Sequence, residues 1–94
     1  MIVYSEEEIR EKLATMSGWS LDNSEITKTF ESKSFNRAIG FVVQVGILAD
    51  VADHHPDIGV KYNKTTIRLS THSENGITDK DFALASNIDQ AFGE

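Results

Sequence analysis

Ile58-Gly59-Val60-Lys61-Tyr62-Asn63-Lys64-Thr65-Thr66-Ile67-Arg68-Leu69-Ser70 is the stretch from which the fold can be read. Ile58, Val60 and Tyr62 alternate with Gly59 and Lys61, and Thr65, Ile67 and Leu69 alternate with Thr66, Arg68 and Ser70. That period of two belongs to strands with one buried face. Asn63 suits the left-handed conformation that a type I′ turn requires, so a two-residue loop is predicted at Asn63-Lys64. Tyr62 would then face Thr65, Val60 would face Ile67, and Ile58 would face Leu69.

Upstream of this hairpin, Ser34 can cap a long helix from about Phe35 to about Asp53. Pro56 ends it, because a residue before proline avoids helical geometry. Phe35, Ala38, Ile39, Phe41, Val42, Val43, Val45, Ile47, Leu48 and Val51 cover more than the one stripe that a helix lying on a sheet buries. A second face packed against another copy of the chain is therefore expected. Further upstream, Trp19 and Leu21 alternate with Ser20 and Asp22, Asn23-Ser24 reads as a turn, and Glu25 to Lys33 reads as a returning strand. Ser5 with Glu8 has the form of a capping box, opening a helix with Ile9, Leu13 and Met16 on one side until Gly18. Downstream, Thr78 with Asp81 forms a second box, leading a helix with Phe82, Ala85, Ile88 and Phe92 on one face.

The order is helix, two strands, helix, two strands, helix. It predicts an α+β fold, a four-stranded antiparallel sheet with helices packed on one face. Residues 1–94 are read as a single domain, with Trp19 and Phe82 in its core.

Composition narrows the function. The chain is 39% hydrophobic and 26% charged, with one proline and six glycines, which is the profile of a folded globular protein. Its net charge of −6 repels phosphate backbones, so direct binding to nucleic acid or an anionic membrane is not expected. No cysteine is present, which excludes disulfides, thiolate nucleophiles and thiolate metal sites. Ala38 to Ala52, interrupted by Gln44 and Asp50, reads as a buried helix too short for a membrane span. With no basic region or long apolar run at the start, a cytoplasmic location is expected.

Chemistry concentrates in the histidines, all three of which fall at 54, 55 and 72. Imidazole can give or take a proton near neutrality. The predicted hairpin register, carried on, sets His55 opposite His72, close enough for two rings to line one pocket. His54 arrives there from the end of the long helix, and Asp50, four residues earlier, is placed to orient its ring. Taken singly, these residues have plainer explanations. His54-His55 can be a capping and turn sequence, Asp81 is explained by its capping box, and Asp53 and Asp57 can solvate a turn. A metal site is the sharper rival, since His55-x-Asp57 with a distant His72 has the outline of a two-histidine, one-carboxylate triad. Such triads sit on barrels larger than this chain can build.

The run Asp50-x3-His54-His55-Pro56-x5-Tyr62-x9-His72-x8-Asp81 resembles the signature of the pterin-4a-carbinolamine dehydratases. Phe35-Asn36-Arg37-Ala38, Tyr62-Asn63-Lys64 and Leu69-Ser70-Thr71-His72 are similar as well, so the likeness runs from about Trp19 to the C-terminus. It implies loss of water from a 4a-hydroxytetrahydropterin to give the quinonoid dihydropterin, with no metal or organic cofactor. His54, His55 and His72 would be the catalytic residues, with the acid and base roles assigned to His54 and His72, and Asp50 and Asp81 in support. Contacts to the pterin would come from His54, His55, Pro56, Thr71, His72, Ser73 and Glu74. A homodimer or homotetramer is implied too. Two positions depart from the pattern: Asp57-Ile58-Gly59 stands where some relatives have an acidic residue and two aromatics, and Asp50 is one methylene shorter than the glutamate of some relatives. The alternatives are a non-catalytic interaction or dimerisation cofactor on the same fold and, behind it, a small metal-binding protein.

Overall fold

Ser5 and Thr78 open helices where their capping boxes predict. Ser5 Oγ accepts the Glu8 N–H at 3.2 Å while Glu8 Oε1 accepts the Ser5 N–H at 2.9 Å, and helix α1 follows over Glu6–Leu13. The computed structural model describes residues 1–93, and the remaining elements are β1 Ser20–Asp22, β2 Glu25–Glu31, α2 Phe35–Ala52, β3 Asp57–Lys61, β4 Lys64–Leu69, a 3-10 turn at His72–Glu74, and α3 Asp79–Ala91. The four strands form one antiparallel sheet in the order β1-β2-β4-β3, with the helices on one face, as expected for the α+β class.

The covered face of the sheet contributes Ile26, Phe30, Ile67 and Leu69, which meet Phe41 and Val45 of α2, Leu84, Ala85 and Ile88 of α3, and Ile9 and Leu13 of α1. Each large aliphatic or aromatic side chain buried in this way contributes about 1.5–3 kcal/mol of transfer free energy. Phe30, Phe41 and Phe92 pack as a trio with ring centroids 4.9 to 5.1 Å apart. Trp19 lies beside Phe30 and donates its indole N–H to Asp89 Oδ2 at 2.9 Å, which ties the start of β1 to α3. On the outer face, Arg68 of β4 reaches Glu25 of β2 at 2.9 Å and, beyond it, Asp22 of β1 at 2.7 Å.

The β1–β2 hairpin turns at Asn23-Ser24, both at positive φ, as predicted. The β3–β4 hairpin does not turn where expected. Lys61 pairs with Lys64, so the loop is Tyr62-Asn63, and Ile58 faces Ile67 instead of Leu69. A two-residue slip keeps every side chain on its expected face, which is why the alternation alone does not reveal it. Tertiary contacts explain the choice. Asn63 is held to the end of β2 by its own side chain, which donates to the Ser32 carbonyl at 2.8 Å, and by its carbonyl, which accepts the Ser32 N–H at 2.8 Å. Tyr62 takes the positive φ of 53° in its place.

Helix α2 buries one face, Ala38, Phe41, Val45 and Ala49, and leaves Phe35, Ile39, Val43, Ile47 and Val51 exposed at steps of four residues. Within the chain, the reading as a buried helix holds for the inner face alone. Counted from Phe35, the 18-residue α2 is long and apolar enough to cross a membrane by length and composition alone, longer than the Ala38 to Ala52 stretch read from the sequence. What ties it into the domain is its inner face, locked into the core.

The segment before α1 lies along the loop that leads into α3. The Tyr4 N–H donates to the Ile77 carbonyl at 2.9 Å, and a Val3 methyl sits 2.5 Å from where a Cβ on Gly76 would stand.

Candidate active site

The site is built where α2 ends. Asp53 takes the left-handed conformation, φ 49° and ψ 45°, and the next residue, His54, donates its backbone N–H to the Ala49 carbonyl at 3.0 Å. This six-to-one bond is the closing contact of a Schellman motif, and it turns the chain sharply off the helix axis. The turn drives the His54 side chain inward, where it is 9% exposed, and leaves His55 outside at 61%.

Inside, His54 Nε2 lies 2.6 Å from Asp81 Oδ1. Asp81 is fully buried, and its other oxygen accepts the Thr78 N–H at 2.9 Å and the Thr71 hydroxyl at 2.8 Å. The carboxylate thus accepts two donors at one oxygen and meets the His54 ring at the other. The contact occupies Nε2 and leaves Nδ1 as the ring nitrogen for other chemistry. Asp81 therefore serves both its capping box and the histidine.

Asp50 does not orient His54. Its carboxylate meets His55 Nε2 at 3.0 Å. The expectation assumed that the helix continued far enough for residues four apart to share a face. The reversal at Asp53 breaks that relation and swings His55 back toward Asp50 instead.

His72 does not face His55. The β3–β4 ladder ends at Asp57 and Arg68, and two residues further in the same register His55 would be level with Ser70. His72 lies beyond, on the 3-10 turn with Ser73 and Glu74, all three exposed. The concavity beside it, about 200 Å³, is lined with Asn23, Ser24 and Glu25 from the β1–β2 turn and with Ser70, Thr71, Asn75 and Gly76, and includes neither His54 nor His55. Pro56 is half-buried between His55 and β3. Thr71 is buried and hydrogen-bonds within the protein. The outline of a metal triad over His55, Asp57 and His72 is not assembled either: among the described residues, no three His, Asp or Glu side chains are grouped to hold a metal ion.

One signal for the Asp81 contact was present in the sequence. Asp81, Ala85 and Ile88 lie at steps of four and three on the buried face of α3. A carboxylate on an apolar stripe needs a partner, and a histidine elsewhere in the chain is a natural one.

The family model for pterin 4 alpha carbinolamine dehydratase matches residues 3–91. This chain belongs to that family. A relative from Chloroflexus aurantiacus, whose own assignment as a pterin-4-alpha-carbinolamine dehydratase is inferred, is 51% identical over 89 residues, covering 95% of this chain and 96% of the relative. Among solved structures, a transcriptional coactivator/pterin dehydratase from Brucella melitensis superposes with a TM-score of 0.92 at 35% identity, covering 98% of this chain and all of that one. A pterin dehydratase-like protein identified as a RuBisCO assembly factor in the alpha-carboxysome superposes at 0.71 with 18% identity, covering 84% of this chain and 94% of that one, a likeness of fold alone. The histidines and carboxylates described above are thus carried on a pterin-dehydratase-family scaffold.

Proposed function

We propose that this protein removes water from a 4a-hydroxytetrahydropterin by histidine acid–base catalysis. The carrying observation is the buried His54–Asp81 pair at 2.6 Å, within a chain whose sequence matches the family nearly end to end. In the reaction an acid protonates the departing 4a-hydroxyl, the C4a–O bond breaks, and a base takes the N5 proton, leaving water and the quinonoid dihydropterin. Groups that exchange protons near neutrality suit both steps. His54, with Nε2 committed to Asp81, offers Nδ1 to the substrate. His72 is the partner in proton transfer, and His55, on the exposed side of the same turn, positions the pterin. Pro56, Ser73 and Glu74 complete the proposed contact surface.

The test is the rate of dehydration of 4a-hydroxytetrahydropterin, followed by ultraviolet absorbance with the spontaneous rate subtracted. Acceleration is expected, with turnover in His54→Ala and in His72→Ala lower by about 10²–10⁴. Near-normal turnover in either variant removes that residue from the mechanism. The reading extends to a cytoplasmic homodimer or homotetramer joined through the exposed stripe of α2. Sedimentation at micromolar concentration should show the oligomer, and a monodisperse monomer would sink that part.

The stripe also favours a second reading, a non-catalytic cofactor that docks a protein on α2, in keeping with the coactivator description of the Brucella structure. Absence of any acceleration in the dehydration assay would select it.

A further inference from the structure

Behind Asp81 the hydroxyl groups form a directed chain. The Lys80 N–H donates to Thr78 Oγ1 at 3.2 Å, Thr78 Oγ1 lies 2.8 Å from Thr71 Oγ1, and Thr71 Oγ1 donates to Asp81 Oδ2 at 2.8 Å. A hydroxyl has one proton to give. Since that of Thr71 goes to the carboxylate, the contact between the two threonines runs from Thr78 to Thr71, and every proton in the chain points toward Asp81. Hydrogen bonds aligned in this way polarise one another and strengthen the last link.

Thr71 is 2% exposed and Thr78 is fully buried, so neither hydroxyl meets solvent. Thr71 is also fastened at its backbone. Its N–H donates to the Gly76 carbonyl at 2.8 Å and its carbonyl accepts the Gly76 N–H at 3.3 Å, which closes the turn that carries His72. One residue therefore holds the His72 turn with its main chain and the His54 carboxylate with its side chain.

We propose that Thr71 is a positioning residue that acts through Asp81 on His54 and couples that ring to the turn bearing His72. The inference rests on the dehydratase reading for its kinetic consequences, but its spectroscopic consequences do not depend on any substrate. Removing the hydroxyl leaves the carboxylate short of a donor and Thr78 short of an acceptor, and His54 becomes the group that must readjust.

Thr71→Val and Thr71→Ser separate this from a structural role. In Thr71→Val, kcat should fall about tenfold, the loss of one hydrogen bond to a charged group, with KM within about twofold. Thr71→Ser should restore kcat. By proton NMR, the native protein should show a downfield His54 ring N–H signal that shifts or broadens in Thr71→Val and returns in Thr71→Ser. An unchanged His54 signal in folded Thr71→Val overturns the proposal, whether or not the protein has dehydratase activity. A rise in KM without loss of kcat also overturns it, since that marks a substrate contact. Should Thr71→Val fail to fold, the native protein still decides: the Thr71 hydroxyl proton should be resolved and slow to exchange, and rapid exchange with water removes the chain on which the proposal stands.

Discussion

His54 and His55 are neighbours in sequence, each bound to an aspartate through Nε2, yet they occupy opposite physical regimes. The His54–Asp81 contact measures 2.6 Å, with side chains 9% and 0% exposed, and the His55–Asp50 contact measures 3.0 Å, with side chains 61% and 81% exposed. An exposed pair trades water contacts for a partner at almost no net gain, typically 0–1 kcal/mol. A buried pair has no water to fall back on, so loss of one partner strands the other. The Asp81 carboxylate is correspondingly surrounded by donors from Thr71 and Thr78. Similar bonds thus have different consequences, and the difference is set by a single backbone reversal at Asp53.

Breaking the inner pair should have the largest effect. Asp81→Ala removes the His54 partner and the capping box together and should cost about 3–5 kcal/mol of stability. Urea denaturation measures it, and a cost below 1 kcal/mol would mean that the pair is no more than a surface contact. The reversal itself can be sharpened. Asp53→Gly removes a Cβ from a left-handed position and should raise stability by about 0.5–1 kcal/mol. Lower stability in that variant would show the Asp53 side chain contributing something beyond its backbone conformation. The outer pair should matter least: Asp50→Asn should shift stability by less than about 0.5 kcal/mol. A larger loss would erase the contrast between the two pairs.

How much of this was legible depends on how local each determinant is. The helix starts at Ser5, Ser34 and Thr78 and the turn at Asn23-Ser24 are written in a few consecutive residues, and they stand where the sequence places them. The β3–β4 register is not local. It is chosen by the two bonds between Asn63 and Ser32, residues that an alternating pattern cannot relate, so the slip was invisible and the pairing of His55 with His72 fell with it. The Asp50 assignment failed because a left-handed residue at a helix end is commonly glycine, and Asp53 gives no such warning. By contrast, Asp81 was legible in its capping box, while its place on the buried face of α3, the signal that calls for a partner, is passed over when Phe82, Ala85, Ile88 and Phe92 are taken as the apolar face.

The close seat of Val3 against Gly76 links distant parts of the chain. A residue larger than glycine at 76 cannot be accommodated while Val3 keeps its place. Substitution there would push the leading segment outward and tug on the loop carrying His72, so the opening residues of the chain act as a brace whose fit is tuned by one missing methyl.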